Sequence, residues 1–256
     1  MKSLPPYTVP GAEPVLLRAG PTACLLLHGF TAQPEEMQFL AADLHGRGYT
    51  VLNARLAGHG TYPRDLERVH WTDWLLSVED GLDLLTNVSD RVVLIGQSMG
   101  AMLALTAAAE YTPAAVVALS TPYAAIPPME LALARVGAAL GWMAKDPDPQ
   151  HPTLGDRRQA AYPAYARYPV RILLEVAELE KAMCRALPKI NVPAFLVQSR
   201  ADTGIRADSL ERIHARLGSA IKEKLWVEGM GHSLVRDEKR QQVFDAIASF
   251  LRTINL

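Results

Sequence analysis

Ser98 stands in Gly96-Gln97-Ser98-Met99-Gly100, a G-x-S-x-G pattern that follows the apolar run 92–95 and opens the small-residue stretch 101–109. A serine hydroxyl is a poor nucleophile, so it must project from a sharp strand-to-helix turn toward a base. Flanking glycines permit that turn because they carry no Cβ. At the chain's content of 17 glycines, roughly 0.04 such patterns are expected by chance, and the strand–turn–helix context is what the motif requires. Attack on a carbonyl builds an oxyanion that needs preorganised donors. The amide of Met99, at a helix N-terminus, supplies one. His28-Gly29-Phe30, directly after the apolar run 23–27, is placed to supply the second from the Phe30 amide.

On a nucleophile of this kind the acid and then the base follow the serine in the chain. His232 lies in Gly229-Met230-Gly231-His232-Ser233, after the apolar segment 225–227 and before the final helical pattern. Among the histidines it alone occupies a late strand-to-helix loop. Asp202, in Ser199-Arg200-Ala201-Asp202, directly follows the apolar run 194–198 and precedes His232. Asp237 and Asp245 come after His232, in the wrong order. Ser98, His232 and Asp202 therefore read as nucleophile, base and orienting acid. His28, His59 and His70 lack the spacing of a metal site and read as structural.

These residues need a scaffold that brings strand ends together. Short apolar runs at 23–27, 49–52, 91–96, 114–120, 194–198 and 224–227 alternate with helical patterns at 34–45, 71–85, 98–110, 207–217 and 238–251. The alternation predicts an α/β fold, a mostly parallel central sheet flanked by helices, with strands buried on both faces. Residues 71–85 set Trp71, Trp74, Leu75, Val78, Leu82 and Leu85 on one stripe that packs the helix on the sheet. Residues 121–189 interrupt the rhythm with nine prolines and no strand pattern. They are expected to form an inserted helical cap over the C-terminal sheet edge, where ligands bind in open α/β folds. The core is then 1–120 with 190–256. Within the cap, 129–144 is strongly apolar and reads as a helix that packs on the core or greets acyl chains.

Composition narrows the partners. The chain has 256 residues with 26 Lys+Arg against 27 Asp+Glu, so no surface is built to neutralise phosphates and nucleic acid is not expected. Cys24 and Cys184 make no disulfide framework. The proline-bearing N-terminus has no secretory pattern and no apolar run is long enough to span a bilayer, so a cytoplasmic protein is expected.

Five segments in order resemble the small bacterial carboxylesterases and monoacylglycerol lipases of the α/β-hydrolase superfamily. They are Leu25-Leu26-Leu27-His28-Gly29-Phe30-Thr31, Arg55-Leu56-Ala57-Gly58-His59-Gly60, Gly96-Gln97-Ser98-Met99-Gly100, the acid segment from Phe195 to Asp202, and Met230-Gly231-His232-Ser233. The resemblance runs from about residue 22 to residue 251 and is weakest in the insertion. It implies the same triad, the same two oxyanion amides and no cofactor or metal. It also implies an ester or monoacylglycerol substrate, with at most transient contact with a lipid surface. Gln97, Met99 and Thr203 are expected to vary the pocket wall. A thioesterase or acyltransferase would use the same triad, and a ligand receptor the same fold.

Overall fold

The computed structural model describes residues 8–124, 129, 132, 134, 141–145 and 163–256. In chain order the elements are β1 (Val15–Leu17), β2 (Thr22–Leu27), a 3-10 turn (Pro34–Met37), α1 (Gln38–Gly46), β3 (Thr50–Asn53), a second 3-10 turn (Pro63–Arg68) and α2 (Trp71–Thr86). They continue with β4 (Arg91–Gln97), α3 (Met99–Tyr111), β5 (Ala115–Leu119), β6 (Trp142–Ala144), β7 (Arg167–Pro169) and α4 (Ile172–Ala186). The last are a third 3-10 turn (Leu187–Lys189), β8 (Ala194–Ser199), α5 (Ser209–Arg216), β9 (Lys222–Val227) and α6 (Arg240–Thr253). Seven strands form one sheet in the order β1-β3-β2-β4-β5-β8-β9. All neighbours are parallel except β1 on β3. This is the α/β-hydrolase fold.

The alternating pleat explains why the strands read as unbroken apolar runs. In β2, Ala23, Leu25 and Leu27 face one layer while Cys24 and Leu26 face the other; in β4, Leu94 and Ile95 divide the same way. The first layer is filled by Trp74, Val78, Leu82 and Leu85 of α2 with α3, α4 and Leu210 and Ile213 of α5. The second is filled by Leu40 and Leu44 of α1 and Val243, Phe244, Ile247 and Leu251 of α6. Each fully buried leucine contributes about 1.5–3 kcal/mol by leaving water, so the sheet is anchored from both sides.

Three regions differ from expectation. Helix 34–45 begins as a 3-10 turn at Pro34 and becomes α-helical only from Gln38. Edge strand β1 has no counterpart in the apolar pattern. Within 121–189, β6 and β7 pair antiparallel, with Met143 opposite Tyr168. Of the helix expected over 129–144, Met129, Ala132 and Ala134 are helical while Trp142–Ala144 is extended; apart from Gly141 the rest of that stretch lies outside the described residues. The insertion also contributes α4, which packs against α2 and α3 in the core layer. No described helix is long and apolar enough to cross a membrane.

Candidate active site

Chain direction places the C-terminal ends of β2, β4, β8 and β9 on one edge, and four loops converge there. β4 ends at Gln97 and α3 starts at Met99, leaving Ser98 alone at the turn with φ 56° and ψ −116°. Such a backbone is costly for a residue with a Cβ. Its neighbours make it possible. A Cβ on Gly96 would lie 2.1 Å from the carbonyl oxygen of Gly100, and one on Gly100 would lie 2.1 Å from that of Leu27. The Ser98 amide donates to the Leu119 carbonyl at 2.8 Å, tying the turn to β5.

His232 Nε2 lies 2.9 Å from Ser98 Oγ. On the other side of the ring, Nδ1 is 2.8 Å from Asp202 Oδ2 and 3.1 Å from Oδ1. An ionised carboxylate only accepts, so Nδ1 carries the proton and Nε2 presents a lone pair to the serine hydroxyl. The Asp202 side chain is fully buried and takes a further hydrogen bond from the Gly204 amide at 2.8 Å. The loop bearing His232 is held by Ser199 Oγ donating to the Met230 carbonyl and by the Gly231 amide donating to Asp237.

The His28-Gly29-Phe30 loop abuts Ser98: a Cβ on Gly29 would stand 3.5 Å from Ser98 Cβ. Among the described residues no acceptor engages the amide of Phe30 or that of Met99. Ser98, His232 and Asp202 are thus joined by hydrogen bonds, with Met99 next after Ser98 in the chain and Phe30 next after Gly29 on the abutting loop.

Other expectations change. Gln97 is not a pocket-wall residue: it is fully buried, and its amide donates to the His232 carbonyl at 2.8 Å. Met99 is buried in the core layer beneath the site. The reading of His28 and His59 as structural does not change: their rings pack edge-to-face with centroids 5.1 Å apart. Sequence reasoning missed Glu36. It is buried behind the His28-Gly29-Phe30 loop, accepting the Gly29 amide hydrogen at 2.6 Å. From the insertion, Lys145 Nζ reaches Thr31 Oγ1 at 2.8 Å, and the Tyr168 ring meets Phe30 edge-on at 5.0 Å.

Known proteins carry the same arrangement of chain. A "Thermostable monoacylglycerol lipase" from Bacillus sp. (strain H-257) is 28% identical over 246 residues, covering 94% of each chain. A "Carboxylesterase" from Bacillus subtilis (strain 168) is 24% identical, covering 95% of this chain and 97% of its own. Among solved structures, one from the study of the metagenome-derived lipolytic enzymes LipS and LipT superposes with a TM-score of 0.84 at 28% identity, covering 96% and 99% of the two chains. The Paleococcus ferrophilus monoacylglycerol lipase shares the fold with a TM-score of 0.80 at 18% identity, covering 95% and 99%. The family described as Serine aminopeptidase, S33 matches residues 21–239, and with that match across most of its length the chain belongs to this family of serine hydrolases.

Proposed function

We propose that this ester hydrolase works through Ser98 as nucleophile, His232 as general base and acid, Asp202 as orienting carboxylate, and the Phe30 and Met99 amides as oxyanion hole. The observation that carries the reading is the continuous hydrogen-bond chain Ser98–His232–Asp202. Ser98 Oγ attacks the ester carbonyl while its proton passes to His232 Nε2, and Asp202 stabilises the imidazolium. The two amides meet the negative charge on the former carbonyl oxygen. His232 returns the proton to the leaving alcohol, giving an acyl-Ser98. A water deprotonated by the same nitrogen then releases the acid and restores the serine.

The family's description names a peptidase, but the two relatives matched over nearly their whole length are named for ester hydrolysis. A small-molecule carboxylic ester is the substrate class, and we assign monoacylglycerols as its finer identity. Phe30 and Tyr168 offer an apolar wall beside Ser98 for the acyl chain. Trp142 and Met143, exposed on β6, suit transient contact with a lipid surface. Residues 121–189 serve as the cap, whose strand β7 sets Tyr168 against Phe30. Two unpaired cysteines suit a reducing compartment, and we place the enzyme in the cytoplasm.

Ser98→Ala, with its fold intact, is expected to lose covalent labelling by a fluorophosphonate and to lose roughly 10⁴–10⁶ in ester turnover. Full labelling of that variant would sink the assignment. Wild type that binds ester without releasing acid would favour a receptor.

A further inference from the structure

Glu36 sits third in the 3-10 turn Pro34–Met37, at 1% exposure. Its amide donates to the Gln33 carbonyl and its Oε2 accepts the Gly29 amide hydrogen at 2.6 Å. That is a short bond for an N–H donor. A Cβ on Gly29 would lie 3.3 and 3.5 Å from the two carboxylate oxygens and 3.5 Å from Ser98 Cβ. Gly29 is therefore sandwiched between a buried carboxylate and the nucleophile, one residue ahead of the Phe30 amide.

The far end of the loop is strained and pinned as well. Thr31 adopts φ 62°, a genuine outlier for a β-branched residue. It is held there by its own hydroxyl donating to the Phe30 carbonyl at 2.6 Å, by Lys145 Nζ donating to that hydroxyl, and by the Tyr165 amide donating to the Thr31 carbonyl at 2.9 Å. With Thr31 under strain, the loop needs a second fixed point to hold the Phe30 amide, and Glu36 supplies it.

Burying a carboxylate is expensive, and an apolar side chain of similar volume would avoid the cost. Here burial pushes the Glu36 pKa up, against the pull of the Gly29 hydrogen bond and the charges of Lys145, protonated His232 and Arg236. A group kept at such cost beside a nucleophile calls for a use, and the hydrogen bond to Gly29 is the one the geometry provides.

We propose that Glu36 is a positioning residue for ester hydrolysis, anchoring Gly29 so that the following amide, Phe30, is held where the oxyanion forms. This rests on Phe30 serving as an oxyanion donor. The effect belongs to the transition state, so it enters kcat and not ground-state binding.

The experiment measures kcat, KM, fluorophosphonate inactivation rate and the pH profile of kcat/KM on nitrophenyl butyrate, with thermal melting alongside. Glu36→Met removes the acceptor and should lower kcat and the inactivation rate together, roughly 10- to 100-fold, the scale of a misplaced catalytic group. KM should stay within about twofold, and any displacement of the acid limb should be the same in Glu36→Met and Glu36→Gln, which remove the same charge. Glu36→Gln keeps an acceptor for Gly29 and should restore most of kcat. Should Glu36→Met fail to fold, Glu36→Asp retracts the carboxylate by one methylene and is expected to show the same kcat loss in a folded protein.

Wild-type kcat in Glu36→Met, or in Glu36→Asp where Met does not fold, would overturn the proposal. So would a Gln variant as damaged as Met. Ser98→Ala separates this failure from failure of the site itself. If Ser98→Ala is inert while Glu36 variants match wild type, only the anchoring role falls.

Discussion

Asp202 and Asp237 both lie beside the histidine loop, but only Asp202 reaches the imidazole. Asp237 takes the Gly231 amide on one oxygen and the Lys239 amide on the other, and Asp245 pairs with Arg47 at the surface. Asp202→Asn is therefore expected to cost roughly 10⁴ in kcat/KM, because an amide can stabilise the wrong imidazole tautomer. Asp245→Asn should turn over like wild type, and Asp237→Asn, which keeps an acceptor for Gly231, should lose little. Nitrophenyl ester kinetics on the three folded variants decide it; a larger loss at Asp237 or Asp245 would mean the wrong acid has been chosen. The acid was legible in the sequence because its evidence is local: a carboxylate at a strand end, ahead of a glycine-flanked histidine. Gln97 and Glu36 were not. Gln97 acts on a carbonyl 135 positions away, and Glu36 beside Glu35 looks like an ordinary acidic first turn until burial distinguishes them.

At the scale of elements, what could be read depended on burial. β2, β4, β5 and β8 are buried on both faces, so their apolar runs stand out. β1 is three residues long, largely exposed and on the sheet edge, so its sequence carries no alternation to find. β6 and β7 are also three residues each and stabilise one another across a proline-rich stretch; neither has a pattern of its own. Their pairing is nonetheless what sets Tyr168 against the Phe30 ring. If that contact forms one wall of the acyl pocket, Tyr168→Ala should shift selectivity between long and short nitrophenyl esters by roughly 10- to 200-fold, the value of about 1–3 kcal/mol of lost apolar contact. Acetyl-ester turnover should change far less, because Ser98, His232 and Asp202 lie on other elements. Equal losses at every acyl length would show that β7 supports the fold and does not choose the substrate.

For the molecule as a whole, the same buried polar layer that backs the site ties stability to pH. His28 donates Nδ1–H to the Gly29 carbonyl and accepts the Leu56 amide on Nε2, so its neutral ring is fully used. Burial, with a smaller repulsion from Arg55, lowers its pKa to about 4. His59 is held well below its usual value by burial first and by neighbouring His28 next. In the unfolded chain both take a proton near about 6.5. Between that pH and the folded value the unfolded state binds more protons, so stability falls as pH drops through the window. For His28 alone the span amounts to about 3 kcal/mol, a large share of a domain's usual margin. Glu36, its pKa raised by burial, works the other way, since the folded state takes up its proton first as the pH falls. Surface carboxylates such as Asp208, whose pKa is lowered chiefly by a hydrogen bond from Arg206, lose their contribution only below the ordinary aspartate range. The two histidines together are expected to outweigh the one glutamate on acidification. Urea midpoints measured from pH 7 to pH 4 should fall steadily, and His28→Asn, which no longer titrates, should flatten the slope even if it lowers stability throughout. A His28→Asn slope no flatter than that of wild type would contradict neutral burial of this ring. The same series guards the kinetics: loss of turnover at a pH where the urea midpoint still shows a folded enzyme reports protonation of His232, not collapse of the layer behind it.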